Sequence, residues 1–125
     1  MKELVLKKCL KCGALVKVLK DCKCDNCGIK CCGEVMHEIK ANSSDGAIEK
    51  HKPTYTINND KLIVKVAHVM DEDHYIEWIC LLTDEKEEYI YLKPNDNSVV
   101  EFAKVDKGTI YSYCNKHGLW KTEIK

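Results

Sequence analysis

The sequence contains no arginine, although it has twenty lysines. Twenty acidic residues balance the lysines, so the formal net charge at pH 7 is zero. Proteins that bind nucleic acids usually carry a basic excess and use arginine to contact phosphates and guanine. We therefore expect no nucleic-acid partner.

Long apolar runs are also missing. No segment approaches the roughly 20 apolar residues of a transmembrane helix, and the N-terminal residues MKELVLKKCLKC have lysines where a signal peptide has an apolar core. The sequence predicts a cytoplasmic protein without a membrane partner. Nine cysteines, an odd number with CxxC spacings, then indicate thiolate metal ligands rather than a disulfide framework.

The chain divides into two parts of different composition. Residues 1–37 are rich in cysteine, and their short apolar run ALVKVL predicts one short strand. Such a part cannot bury a core of its own, so a metal must supply much of its folding free energy. The segment ANSSDG has the composition of a linker. We assign residues 1–37 to a metal-binding module and residues 38–125 to a second domain.

The second domain shows the period-two pattern of β-strands. Leu62, Val64 and Val66 share one strand face, and Val100 and Phe102 share another. Turn-like segments separate the apolar runs, and no long helix is indicated. The predicted fold class is all-β, a small Cys-rich metal-binding module followed by an immunoglobulin-like antiparallel β-sandwich.

The first metal site begins with CLKCG at residues 9–13, a knuckle in which two thiolates bind one metal while glycine lets the backbone close around it. Two later pairs compete to complete the site. Cys24 and Cys27 repeat the knuckle in CDNCG and are similar to a rubredoxin or zinc-ribbon site. Cys31 and Cys32 are adjacent, and neighbouring side chains normally point apart. Spacing alone favours the two matching knuckles.

The residues around the adjacent pair change this preference. CLKCGALVKVL followed by CCGEVM resembles the desulforedoxin module, in which a CxxC and a later CCGE hold one iron with four thiolates. The ligands implied by this resemblance are Cys9, Cys12, Cys31 and Cys32. Cys24 and Cys27 stay as alternative ligands, because they and Cys22 lie within or beside a few extra residues relative to that module.

A second group of candidate ligands is spread along the second domain. His51 precedes a predicted strand, His68 and His74 flank the acidic turn VMDED, and Cys114 and His117 form a Cys-x-x-His pair. All lie at ends of predicted strands, where they could converge at one end of a sandwich. Neutral imidazoles with one thiolate suit iron better than copper or zinc.

The segments EKHKP, AHVMDEDHYIEWI, LKPND and YCNKHGLW resemble the superoxide reductase family, and with the N-terminal module the chain is similar to desulfoferrodoxins, the two-iron form. The resemblance implies a second iron, with four imidazoles in a plane, a thiolate below it and an open sixth position. The implied ligands are His51, His68, His74, His117 and Cys114. His37 matches no ligand of the pattern.

The resemblance also implies a function, the one-electron reduction of superoxide to hydrogen peroxide. Lys50 is implied to attract the anion at the open position, and Glu49 to occupy that position of the oxidised iron. A rubredoxin-like electron donor and a homodimer formed through the N-terminal module are further expectations. The alternatives are a zinc-ribbon interaction module fused to a binding sandwich, and a pure electron carrier.

Overall fold

The computed structural model describes residues 2–25, 27–43, 46 and 48–125, without the side chain of Glu49. The chain forms two compact units, Leu4–Lys40 and Ala41–Lys125, the latter including the N-terminal residues up to Glu3. Within the described residues, no helix has the length and apolar character needed to cross a bilayer.

The smaller unit is built from short strands. Its strands are β1 (Leu6–Lys8), β2 (Leu15–Lys17), β3 (Lys30–Cys31), β4 (Glu34–Val35) and β5 (His37–Ile39). They form an antiparallel sheet of order β2-β1-β5 and a separate β3-β4 hairpin. The apolar run ALVKVL contains β2, so the short strand predicted there is confirmed. Few of its side chains are buried, so burial alone gives this unit little stabilisation.

Among its described residues, the larger unit has one helical turn and seven strands. They are α1 (Ile48–His51), β6 (Thr54–Asn58), β7 (Lys61–Lys65), β8 (Ile76–Leu82), β9 (Glu87–Tyr91), β10 (Val99–Ala103), β11 (Gly108–Cys114) and β12 (Gly118–Ile124). One antiparallel sheet has the order β10-β7-β6, and the other has the order β12-β11-β8-β9.

The core of this unit lies between the two sheets. Leu62 and Val64 of β7 and Phe102 of β10 face it from the three-stranded sheet, while Ile79 of β8 and Ile110 of β11 face it from the four-stranded sheet. Inward side chains of β7 and β10 alternate with exposed ones, as the period-two pattern requires. The predicted all-β sandwich is confirmed.

A register irregularity at the end of β11 redirects one side chain. Ser112 pairs with Ile79 and Tyr113 with Trp78, but Cys114 pairs with Ile76. Between these last two pairs, the partner strand β8 therefore has one residue more than β11, which makes a β-bulge. Bulges bend the strand and change the direction of side chains beside functional sites. Cys114 lies fully buried at this end of the sandwich.

Candidate metal centres

Five potential ligands from separate segments meet at one end of the sandwich. His51 ends α1, His68 follows β7, His74 precedes β8, Cys114 ends β11, and His117 lies in the turn before β12. Their ligand atoms all lie within 4.8 Å of one another. Strands distant in sequence thus bring together the residues that the sequence predicted.

The four imidazoles are arranged in a closed ring. Successive ring centroids lie 4.6–5.0 Å apart with steep interplanar angles, in the cyclic order His51, His68, His74, His117. The His51 Nε2 atom lies 2.9 Å from His117 Nδ1 and 3.2 Å from His68 Nε2, and His74 Nε2 lies 3.3 Å from His117 Nδ1. A metal about 2.1 Å from each nitrogen separates adjacent corners of a square by about 3.0 Å. The nitrogens therefore fit a square of metal ligands.

The thiol of Cys114 completes this group from the protein interior. Its Sγ lies 3.5 Å from His68 Nε2 and 3.8 Å from His117 Nδ1, which are opposite corners of the ring. The backbone N–H of His117 donates to this Sγ at 3.4 Å. Cys114 has no exposed surface, whereas His68, His74 and His117 are partly exposed. The site is closed on the sulfur side and reaches solvent on the imidazole side.

The protonation of two imidazoles suits them for metal binding. The Nδ1 of His68 contacts the carbonyl oxygen of Val69, which can only accept a hydrogen bond, so Nδ1 carries the proton and the Nε2 lone pair faces the cluster. Burial lowers the pKa of His68. Burial, followed by the proximity of His117, also lowers the pKa of His74. Neutral imidazoles are the ligand form at neutral pH.

Several neighbours fix His51. The hydroxyl of Ser112 donates a 2.8 Å hydrogen bond to the His51 carbonyl, and the Trp120 ring stacks on the imidazole at 5.0 Å. Gly46 has a φ of +146°, and a Cβ there would lie 3.0 Å from His51 Cε1 and 3.5 Å from His117 Cγ. A side chain at position 46 would therefore press on His51 and come into van der Waals contact with His117.

Asn115 connects two ligand-bearing loops. Its Oδ1 accepts a 3.0 Å hydrogen bond from the Tyr75 N–H, and its Nδ2 donates at 2.9 Å to the Asp73 carbonyl. The residue between these two is His74, and Asn115 itself follows Cys114. The side-chain amide thus connects the segment that carries the His74 imidazole to the segment that carries the Cys114 thiol.

Four thiols form a second candidate centre in the smaller unit. The ligand atoms of Cys9, Cys12, Cys31 and Cys32 lie within 4.8 Å of one another. The Sγ of Cys31 lies 3.6 Å from that of Cys12 and 3.9 Å from that of Cys32. Tetrahedral coordination at about 2.3 Å places sulfurs about 3.8 Å apart, so these spacings fit a tetrathiolate site.

The β3-β4 hairpin explains how two adjacent cysteines can bind one metal. Cys31 pairs with Glu34, so Cys32 and Gly33 form a two-residue turn. Both have positive φ, 53° and 78°, as a type I′ turn requires. Cys31 therefore lies in a strand, whereas Cys32 lies in a left-handed turn position. Adjacent side chains in extended backbone point in opposite directions, and this turn allows the two sulfurs to lie near one another.

The pKa values of these thiols are shifted by their close spacing. The Cys12 backbone N–H lowers the pKa of Cys9 to about 7. Hydrogen bonding to Cys12 raises the pKa of Cys31 to about 12, and the same neighbour chiefly raises the pKa of Cys32. Four adjacent thiolates repel one another unless a cation lies among them. The donor set therefore fits a thiophilic metal.

Comparisons with known proteins agree with this arrangement. The model of the desulfoferrodoxin family matches residues 43–123. The chain is 46% identical over 120 residues to a desulfoferrodoxin from Nitratidesulfovibrio vulgaris, with 93% of each chain covered. It is 40% identical over 99 residues to a desulfoferrodoxin from Clostridium acetobutylicum, covering 77% of this chain and 79% of that one. The chain belongs to the desulfoferrodoxin family.

Solved structures extend these comparisons. The crystal structure of the superoxide reductase from Treponema pallidum has 28% identity and a TM-score of 0.72, covering 97% of this chain and 99% of that chain. A superoxide reductase from Giardia intestinalis, described as 1Fe-SOR, has 26% identity and a TM-score of 0.54, covering 62% of this chain and 98% of that one.

The structure also describes most of the other residues singled out from the sequence. Lys50 is exposed in α1, directly before His51, and the side chain of Glu49 lies outside the described residues. Cys24 and Cys27 are joined to each other as a disulfide. His37 is exposed in β5, within the smaller unit.

Sequence reasoning missed three supporting residues of the His/Cys centre. Gly46, Ser112 and Asn115 each contact a ligand or its immediate neighbour. The one signal available was the position of Asn115 between Cys114 and His117. Its hydrogen bonds run to residues about forty positions away, which spacing alone does not reveal.

Proposed function

We propose that this protein is a superoxide reductase, which transfers one electron to superoxide and, with two protons, yields hydrogen peroxide. The observation that carries the proposal is the square of four imidazole nitrogens beside a buried thiol. The likeness to the Treponema pallidum superoxide reductase supports it.

We assign iron to this centre. The proposed ligands are His51, His68, His74, His117 and Cys114. The donor set of neutral nitrogens with one soft sulfur fits iron, which supplies the single electron when bound. The chain's residues hold four nitrogens in place and keep the thiol away from water.

The charges around the centre favour an anionic substrate. Imidazoles are neutral ligands, and the lowered pKa values of His68 and His74 keep them so at neutral pH. One thiolate only partly offsets a divalent cation, so the site retains positive charge and attracts superoxide. Lys50 adds an exposed cation next to His51 in sequence, and we assign it the attraction of substrate. The role of Glu49 stays a prediction from resemblance.

We assign a second iron to Cys9, Cys12, Cys31 and Cys32, within a module spanning residues 1–37. With these four sulfurs as its ligands, an iron bound here would have no position left for substrate and would supply electron transfer. A rubredoxin-like protein as electron donor and a homodimer formed through the module complete the proposal. Thiolate sites suit a reducing compartment, so we place the protein in the cytoplasm.

The decisive experiment measures products and metals together. The reduced protein is mixed with superoxide, and hydrogen peroxide and dioxygen are quantified. A reductase yields one peroxide for each superoxide and no dioxygen, whereas dismutation yields half as much peroxide with dioxygen. Failure to consume superoxide would leave a pure electron carrier. Colourless protein containing zinc in both centres would instead indicate an interaction module fused to a binding sandwich.

A further inference from the structure

A third group of thiols lies outside both candidate metal centres. Cys22, Cys24 and Cys27 are exposed, and their sulfurs lie within 4.8 Å of one another. Cys24 and Cys27 are joined as a disulfide with a Cα–Cα distance of 5.6 Å, a usual separation for such a bond. Because both sulfurs of the pair are used in this bond, the pair forms a thiol centre distinct from the tetrathiolate group.

The loop that carries these cysteines is held at its beginning. Asp21 accepts a 3.0 Å hydrogen bond from the ammonium of Lys7, a side chain that is largely buried. The same carboxylate oxygen accepts the Cys22 N–H at 2.8 Å. Proximity to Lys7 lowers the pKa of Asp21, so its carboxylate stays ionised. Through Asp21, the backbone at Cys22 is therefore connected to Lys7 of β1.

The loop is also held at its end. Gly28 lies so close to β4 that a Cβ there would be 2.7 Å from Val35 Cγ1. The next residue, Ile29, accepts a 2.7 Å hydrogen bond from the Met36 N–H. Cys27 is therefore presented by backbone packed on β4 and not by a freely moving segment. Two fixed ends keep the thiols near one another.

We propose that Cys24 and Cys27 are a dithiol/disulfide couple that reduces hydrogen peroxide. The source of peroxide rests on the proposed function, because the superoxide reductase reaction releases it. The pair is exposed, so peroxide reaches it from solvent.

The chemistry balances in two steps. One thiolate attacks a peroxide oxygen, the O–O bond breaks, and a sulfenic acid and one water form. The second thiol attacks the sulfenic sulfur, forms the S–S bond and releases a second water. Two sulfurs lose one electron each, and peroxide gains both electrons. A dithiol reductant returns the disulfide to the dithiol.

The positions of the lysines allow the disulfide to be located by tryptic digestion. Trypsin cleaves after lysine, so Lys23 and Lys30 delimit a peptide that contains both cysteines of the pair. Cys22 leaves in the short peptide 21–23, and the metal-ligand pair leaves in the peptide 31–40. A disulfide between Cys24 and Cys27 makes the 24–30 peptide lighter by two hydrogens, whereas a disulfide from either of them to any other cysteine links two peptides.

The experiment uses the full-length holoprotein, reduced with a phosphine and desalted without oxygen. Substoichiometric hydrogen peroxide is added, free thiols are alkylated, and the digest is analysed by mass spectrometry. We expect loss of two thiols per peroxide and an intact, unalkylated 24–30 peptide lighter by two hydrogens. Cys22→Ser is the matched control, a change in the same loop that should preserve this result. The double variant Cys24→Ser, Cys27→Ser should lose it.

Three outcomes would overturn the proposal. The 24–30 peptide could stay fully alkylated while peroxide is consumed, or it could be linked to the 31–40 peptide. The wild type could also hold a third metal equivalent that the double variant lacks and keep its thiols reduced, which would indicate a three-thiolate metal site. Because peroxide is added as a reagent, this test of the thiol pair does not depend on superoxide reduction by the protein. Conversely, the double variant should reduce superoxide at the wild-type rate.

Discussion

The side chain of Asn115 accepts a 3.0 Å hydrogen bond from the backbone N–H of Tyr75, forty positions away in the sequence. This contact connects the loop before β8 to the turn after β11. His74 lies at one end of the connection and Cys114 at the other. A side chain outside the proposed ligand set therefore connects the segments that carry two of the proposed ligands.

The first prediction concerns this contact. Asn115→Ala should weaken iron binding at the His/Cys centre by roughly 10–100-fold, the usual effect of removing a group that orients ligands. Competition with a chelator measures the affinity, and circular dichroism checks the fold. Asn97→Ala, a change of an exposed loop asparagine, is the control. Equal affinities of the two variants would show that the Asn115 hydrogen bonds do not position the ligands.

The ligand set could be predicted from sequence because histidine and cysteine spacing near strand ends has a direct chemical meaning. The strand faces of Leu62 and Val100 were predicted as well, because inward and outward side chains alternate in a half-buried strand. Each of these patterns can be recognised within a short segment of the chain. Family resemblance then selected Cys31 and Cys32 over the competing pair.

The supporting contacts could not be predicted, because they join distant segments. Strand order and the bulge before Cys114 decide that Ser112 meets His51 and that Asn115 meets Tyr75. The left-handed turn at Cys32 is equally hidden, since a cysteine rarely has positive φ. It shows how the adjacent pair fits one site, an arrangement that spacing alone disfavoured.

The second prediction tests the ligands of the N-terminal centre. Changing Cys31 and Cys32 together to serine should abolish the thiolate-to-metal absorption of this centre, because two of its four sulfurs are removed. The matched variant Cys24→Ser, Cys27→Ser should retain the absorption. The reverse pattern in visible spectra of the two proteins would establish the rubredoxin-like alternative.

The third prediction tests the buried thiol. Cys114→Ser should remove the thiolate charge-transfer band of the catalytic iron and most of the superoxide reductase activity, since a hydroxyl is a poor donor at neutral pH. Absorption spectra and superoxide consumption measure the two effects, with iron content determined in parallel. A variant with unchanged band and rate would mean that the Cys-x-x-His spacing is incidental.

The fourth prediction concerns pH and the tetrathiolate centre. Because the pKa of Cys31 is raised to about 12 and that of Cys32 is also raised, both thiols are protonated at neutral pH without metal. Protons then compete with the cation, so metal affinity should rise with pH, by about tenfold per pH unit for each proton displaced.

Calorimetry of metal binding to the metal-free chain tests this expectation. In buffers of different ionisation enthalpy at pH 7, the observed heats should differ by at least the amount expected for release of a proton from each of these two thiols. Cys9, whose pKa is lowered to about 7, should add a fraction of one proton. Heats that do not depend on the buffer would contradict the raised pKa values.

The last prediction tests Lys50. In 0.1 M salt, charges more than about 10 Å apart are largely screened from one another. A cation closer than this to the open position should therefore accelerate the arrival of superoxide. For one unit charge at about 6–10 Å in water, the acceleration amounts to about two- to threefold. Lys50→Ala should lower the second-order rate constant by that factor and flatten its dependence on ionic strength, with the iron content unchanged.

Lys52 is the matched control, since it is an exposed lysine two residues further along the chain, on the other side of His51. Stopped-flow or pulse-radiolysis kinetics over a salt series would compare the two alanine variants. If position matters, Lys52→Ala should change the rate less than Lys50→Ala at every ionic strength, and the difference should vanish at high salt. Equal losses would show that the chain attracts superoxide through its general surface charge, and the specific role assigned to Lys50 would be wrong.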